Sequence, residues 1–357
     1  MTERRSTADL LDRVPVPDLW PDIRKRVPDT EGAGAPHADR RAYALVAAVM
    51  IGVLGVAASI SALSGMGAEQ TASPAAPALV GPLIAYTTMG NDAHLRIAVM
   101  RPDGSGATPV TTGKEPDDYV SRFGFSQDLD PQWSPDGRRI YFLRRYSESV
   151  YSLCSISPSG QRFDVLVRDF PGMFALSPSG SEVAFGIGHG IHVMNVDGSN
   201  DHVVAHTSEM LPNGVPISWS PDGEEIAFSS GDSKLSIVDI SSGRVTTPAP
   251  GFRVDAVAWD PVGALVAFAG SRLDEPNISA FTEQVWTVRP DGTGLQLVTD
   301  GASNWTVAGW SPDGTQLIVG RLDQRLRDNG LAVISVDGTG LSVIQPSALS
   351  AGADWRP

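Results

Sequence analysis

A single cysteine, Cys154, stands among 357 residues. One thiol excludes an intrachain disulfide and a cysteine-based zinc centre. Its setting, YSLCSIS, reads as strand with no histidine close in sequence, so a buried, inert thiol is expected rather than a nucleophile. Basic residues are also in short supply. Lys and Arg number 27 against 41 Asp and Glu, a formal net charge of -14. Nucleic-acid binding rests on basic surface that displaces phosphate counterions, so no nucleic-acid partner is expected. Enzyme signatures are missing as well. There is no G-x-S-x-G elbow and no D-x-D-x-D-G calcium loop, and the acidic turns lack the downstream Gly and Trp of a sialidase Asp-box. No cofactor or metal is expected.

Long apolar runs are limited to one. Residues 42–63, AYALVAAVMIGVLGVAASISAL, are 22 residues without a charge. As a helix they would span ~33 Å, against a hydrocarbon core of ~30 Å. Arg40 and Arg41 precede the run, and no Lys or Arg follows until Arg96. That asymmetry puts the N-terminus in the cytoplasm and the remainder outside. A cleaved signal peptide has a shorter leader and a shorter apolar core, so an uncleaved anchor is expected. The chain then divides into a cytoplasmic tail (1–41), a transmembrane helix (42–63), an Ala/Pro-rich linker (64–81) and an outer domain (82–357). The tail stretch TADLLDRVPVPDLWPDIRKRV has room for short amphipathic helices only, because Pro15, Pro17 and Pro21 interrupt it. Residues 82–357 carry nearly all the negative charge, with 19 basic and 32 acidic residues.

What is abundant is turn-forming sequence: 37 Gly and 27 Pro. Length alone would suggest two domains, but the turns fall in register. WSPDG occurs at 133–137, 219–223 and 310–314, with variants LSPSG at 176–180 and WDPVG at 259–263, and WRP ends the chain at 355–357. The starts are 43, 43, 40, 51 and 45 residues apart. A second sixfold series is interleaved: RPDGSG, SPSGQR, NVDGSN, DISSGR, RPDGTG and SVDGTG, beginning at 101, 157, 195, 239, 289 and 335. In SPDG, Ser, Pro, Asp and Gly occupy the four positions of a type I turn in their preferred order. The β-branched and aromatic runs IYFL, VAFG, IAFS, VAFA and LIVG follow as strands. Units of ~40–45 residues with four strands are propeller blades. Five of the eight tryptophans open the turn motif, after Gln132, Ser218, Ala258, Gly309 or Asp354. Large and mostly small residues thus alternate on the innermost strand, as interdigitating blades require. The first unit starts at LIAYTTM (83–89) without an innermost strand, and AGADWRP supplies one without successors. The fold class is therefore all-β: a six-bladed β-propeller of four-stranded blades, closed by the C-terminal strand and preceded by one transmembrane helix.

The repeated WSPDG, IAF and VMNVDG pattern resembles the TolB-like propeller, a WD-repeat-like family, over residues 82–357. The protein that names the family has an additional N-terminal domain, works in the periplasm and contacts an envelope lipoprotein through its propeller. The resemblance implies a protein-binding module outside the cytoplasm, with a protein or envelope ligand as partner.

Two insertions depart from the repeat, at 113–130 and 272–284, and long polar loops on a rigid scaffold are common recognition sites. Loops entering the innermost strands crowd one channel mouth. Asp128, Asp130, Asn213, Arg253, Asp255, Asn304 and Trp305 are the candidate binding rim; no catalytic residue is assigned. The histidines are read as exposed turn and edge residues. His189 and His192, three apart, lie on opposite faces of a strand unless the GHG turn folds back, and His202 and His206 share a face at ~13 Å, too far for one metal. The reading is a membrane-anchored, extracytoplasmic, non-catalytic binding or scaffold module. The alternatives are a transmembrane sensor signalling through its tail and a propeller hydrolase acting on glycan or peptide.

Overall fold

The computed structural model describes residues 81–211, 214–274, 283–299, 303–322, 330–345 and 352–357. The expected tail, membrane helix and linker lie outside the described residues, apart from Gly81. Among the described residues no helix is long and apolar enough to cross a membrane.

Six antiparallel sheets follow one another along the chain. Blade two is typical: Gln127–Trp133, Ile140–Arg145, Tyr151–Ile156 and Asp164–Phe170 pair in sequence order. Blades four, five and six repeat the order, starting from Ile217–Trp219, Phe252–Trp259 and Asn304–Trp310. Blade one is completed from the other end of the chain. Ala353–Trp355 pairs with Ile84–Met89 in the register Ile84 with Trp355, Ala85 with Asp354 and Tyr86 with Ala353. Two hydrogen bonds extend that ladder: Thr87 N–H donates to Gly352 O (3.2 Å) and Arg356 N–H to Leu83 O (2.7 Å). The expected closure by the C-terminal strand is therefore present.

Blade three looks different but obeys the same plan. Glu182–Asn195 is a single 14-residue extended segment. A straight strand of that length would hold its ends ~45 Å apart. Yet Val196 N–H donates to Ser181 O at 3.0 Å. The segment doubles back at Gly188, whose φ of +59° suits a tight turn, so the GHG sequence makes a hairpin and the blade has four arms.

The turn motif explains its own residues. In each WSPDG copy the Gly N–H donates to the Ser carbonyl, as Gly137 to Ser134 (2.8 Å), Gly223 to Ser220 (3.0 Å) and Gly314 to Ser311 (2.9 Å). The Ser hydroxyls donate to Asp136, Asp222 and Asp313. Those bonds hold the three carboxyls below the usual range. The aspartates are thus turn constituents.

Between blades, Trp133, Trp219, Trp259, Trp310 and Trp355 are all buried. The preceding position does more than leave room. Where it is polar, it accepts from the backbone of the next blade: Asp354 from Trp133 N–H (2.7 Å), Gln132 from Leu176 N–H (2.8 Å) and Ser218 through its hydroxyl from Trp259 N–H (2.9 Å). Where it is alanine, its carbonyl accepts the next indole: Ala175 from Trp219 (3.0 Å) and Ala258 from Trp310 (2.9 Å).

Candidate functional site

The innermost strands of all six blades line a central channel of about 640 Å³. Pro135, Pro178, Pro221, Pro261, Pro312 and Pro357, one from each repeat motif, ring it where those strands end. The wall is mostly apolar, with Asp130, Asp255 and Asp354 among its polar groups.

The two aspartates carried by long innermost strands reach the channel through a shared device. In blade two the pairing jumps from Leu129 to Gln132, and in blade five from Val254 to Ala256. Asp130 and Asp255 sit on these bulges, and a bulge re-aims the side chain it carries. Asp130 takes φ +52°, tolerable for aspartate. Blade six has the same bulge at Ala308, which also lines the channel. Burial pushes Asp130 up to about 6, against the opposing pull of Arg145. Burial likewise pushes Asp354 up to about 6, although the Trp133 and Trp355 N–H groups favour its charged form.

A second group forms at the junction of blades five and six. Arg253 Nη2 lies 3.2 Å from Asp255 Oδ1. Glu283 N–H donates to Asn304 Oδ1 (3.1 Å), and Trp305 N–H donates to Glu283 O (2.9 Å). Burial, and then the neighbouring Asp255 carboxylate, push the Glu283 carboxyl upward. Arg253, Asp255, Asn304 and Trp305 are therefore brought together around Glu283 at this junction. Trp305 is 5% exposed and packs in the core between blades five and six, with Val285, Val298 and Val307. Glu283 was not among the expected residues; its position at the end of the 272–284 insertion was the available signal. Asn213 lies outside the described residues, as do 275–282 of the insertion.

Asp128 is a correction. It is fully buried, not on a rim. Arg144, also fully buried, holds it through two bonds, Nε to Oδ1 (2.7 Å) and Nη2 to Oδ2 (3.0 Å). Arg144 Nη2 also reaches Glu115 Oε2 (2.7 Å), and its Nη1 lies 3.6 Å from Asp117 Oδ2. Arg168 donates to Asp117 (2.8 Å), and the Tyr146 hydroxyl bonds the same carboxylate. Burial opposes the Arg144 charge, but Asp128 and Glu115 outweigh it and raise its pKa. Burial also works against Glu115 and Asp117, and their hydrogen bonds overcome it and pull both carboxyls down.

The 113–130 insertion is therefore not a free recognition loop. Asp117 caps the short helix Asp118–Phe123 by accepting from Tyr119 N–H, and Gly124 ends it at φ +83°. Glu115 and Asp117 fasten that strap to blade two, and Arg168 lies over the Tyr119 ring at 4.2 Å. Nearby Cys154 is fully buried, and burial pushes its thiol well above the usual range, as an inert thiol requires.

No profile of a known protein family matches the chain. Uncharacterized protein Atu1656 of Agrobacterium fabrum is 26% identical over 211 residues, covering 56% of this chain and 67% of that protein. Among solved structures, TolB from Acinetobacter baumannii aligns with a TM-score of 0.60 at 16% identity, over 77% of this chain and 66% of its own. A TolB candidate from Agrobacterium tumefaciens aligns with a TM-score of 0.51 at 20% identity, over 77% of this chain and 97% of its own. The propeller is of the TolB-like fold. The chain spans slightly less than two thirds of the Acinetobacter protein.

Proposed function

We propose that this TolB-like propeller is a non-catalytic, extracytoplasmic protein-binding module, held at the membrane by residues 42–63. The observation that carries the reading is the mouth at blades five and six, where Arg253, Asp255, Glu283 and Asn304 gather beside the channel and next to the 272–284 insertion. Polar groups placed by strand ends at the opening of a rigid, largely apolar cavity suit recognition of an extended protein segment. The anchored topology rests on Arg40 and Arg41 before 22 uncharged residues.

Deleting residues 275–282, which leaves the Glu283 and Gln284 hydrogen bonds in place, tests the site. Loop length changes closure entropy slowly, by ~0.6 kcal/mol per doubling, so the deletion variant is expected to fold with little loss. A photo-crosslinker at Asp255 should capture a defined envelope protein in intact cells, and the deletion should lower that yield. Undiminished capture removes the loop from the site. Turnover of peptide or glycan substrates by the purified chain overturns the non-catalytic reading.

A further inference from the structure

Blade three brings together two histidines that stand 14 residues apart. His192 lies in the returning arm of the hairpin, and His206 lies in the outermost strand, His202–Leu211. The register pairs His202 with Val193 and Val203 with His192, skips Val204, then pairs Ala205 with Ile191 and His206 with Gly190. Simple alternation would leave His206 on the face of His202, as the spacing of four suggests. The bulge at Val204 moves it to the opposite face, which Gly190 shares with His192. The two histidines then occupy diagonal positions on one face, ~7–8 Å apart at the backbone and closer at Cβ.

Three further contacts prepare the site. Gly190, opposite His206, has no side chain, and the His192 ring leans over it: a Cβ at Gly190 would lie 3.1 Å from His192 Nε2. His192 Nδ1 is 2.9 Å from Asp201 Oδ1. A carboxylate can only accept, so Nδ1 donates that bond, and in the neutral ring the lone pair available to a metal is on Nε2. Stacking on Phe185, with centroids 5.3 Å apart and planes 26° apart, fixes the ring further. His192 remains half-buried and His206 exposed, so a solvent ion can reach both.

We propose that His192 and His206 chelate a divalent transition-metal ion of the Zn(II), Ni(II) or Cu(II) class, with Asp201 orienting the His192 ring. Paired imidazoles suit these ions rather than calcium or magnesium. A carboxylate behind a ligating imidazole is the usual outer-shell partner. Among the described residues no group of three or more His, Cys, Asp or Glu is placed to hold a metal. Water or an incoming ligand therefore fills the remaining positions, making an open, exchangeable site rather than a closed structural one.

The test uses the full chain, stripped with chelator and titrated calorimetrically with zinc chloride and with copper sulfate. Wild type should bind one equivalent more tightly than His206→Gln by about tenfold or more. Asp201→Asn should weaken binding by about 10–100-fold, the usual cost of losing an outer-shell partner. His202→Gln, on the opposite face, should bind as wild type. Thermal melts of the metal-free variants check folding. The copper-loaded protein should show electron-paramagnetic coupling to two imidazole nitrogens, a readout that needs no variant. Absence of binding, wild-type affinity in His206→Gln, an equal loss in His202→Gln, or coupling to a single imidazole would each overturn the proposal.

Discussion

Removing residues 351–357 should destroy the cooperative melt of the propeller or lower its Tm by roughly 6–20 °C. The segment contributes Trp355, 7% exposed and packed with Ile84, Tyr86 and Ala353. Truncating a buried Trp to Ala typically costs ~3–5 kcal/mol. At about 2–4 °C per kcal/mol for domains somewhat smaller than this one, that loss alone gives the stated range. Two further losses add to it. Thr87 and Arg356 mark a backbone ladder between the chain ends that would disappear, leaving the first strand with an open edge. Asp354 would no longer accept from Trp133 N–H, which ties the closing blade to blade two. Differential scanning calorimetry with a light-scattering check measures the effect. An unchanged, monomeric melt would mean that the segment behaves as a loose terminus.

Arg144→Met should be the most damaging single substitution among the charged residues of blade two, at about 3–5 kcal/mol, the usual cost of breaking a buried ion pair from one side. Methionine fills similar space, so the loss isolates the charge. Asp128, Glu115 and Asp117 would be left without the guanidinium that compensates their burial. Arg168→Met should cost less, because the Arg168 side chain is 30% exposed. The sign of the pH dependence follows from Glu115 and Asp117, whose carboxyls are held low in the folded state. A depressed carboxyl contributes stability above its unfolded pKa of about 4 and loses it as pH falls through the folded value. The deficit of Arg144→Met should therefore be largest near pH 7 and shrink towards pH 3. Urea melts of both proteins across that range measure it. A deficit independent of pH would assign the loss to packing.

Which features were legible in the sequence follows from the range of the interactions that make them. The turns are local, so Ser134, Asp136 and Gly137 announce themselves within four residues. Their sixfold recurrence then reveals the blade count and the missing innermost strand of blade one. Arg253, Asp255, Asn304 and Trp305 could be placed together because strand entry points recur with the same period. Asp128 reads as a rim residue from its local position alone, because its partner Arg144 is 16 residues away and Glu115 reaches the same guanidinium from 29 residues away. Bulges were equally hidden. Nothing local marks Val204 or Asp130 as an extra residue, yet one such residue reverses every side chain beyond it. That reversal separates His206 from His202 and turns Asp130 towards the channel.

The channel, its ring of prolines and its polar mouth exist only if the C-terminal strand completes blade one. Amide hydrogen exchange at Arg356, the penultimate residue, tests this most directly. Its N–H donates to Leu83 O at 2.7 Å across the closing ladder. In a closed ring this amide should exchange as slowly as the core amides of blade one, through opening of the blade as a unit. Exchange at the rate of an unstructured terminus would contradict ring closure.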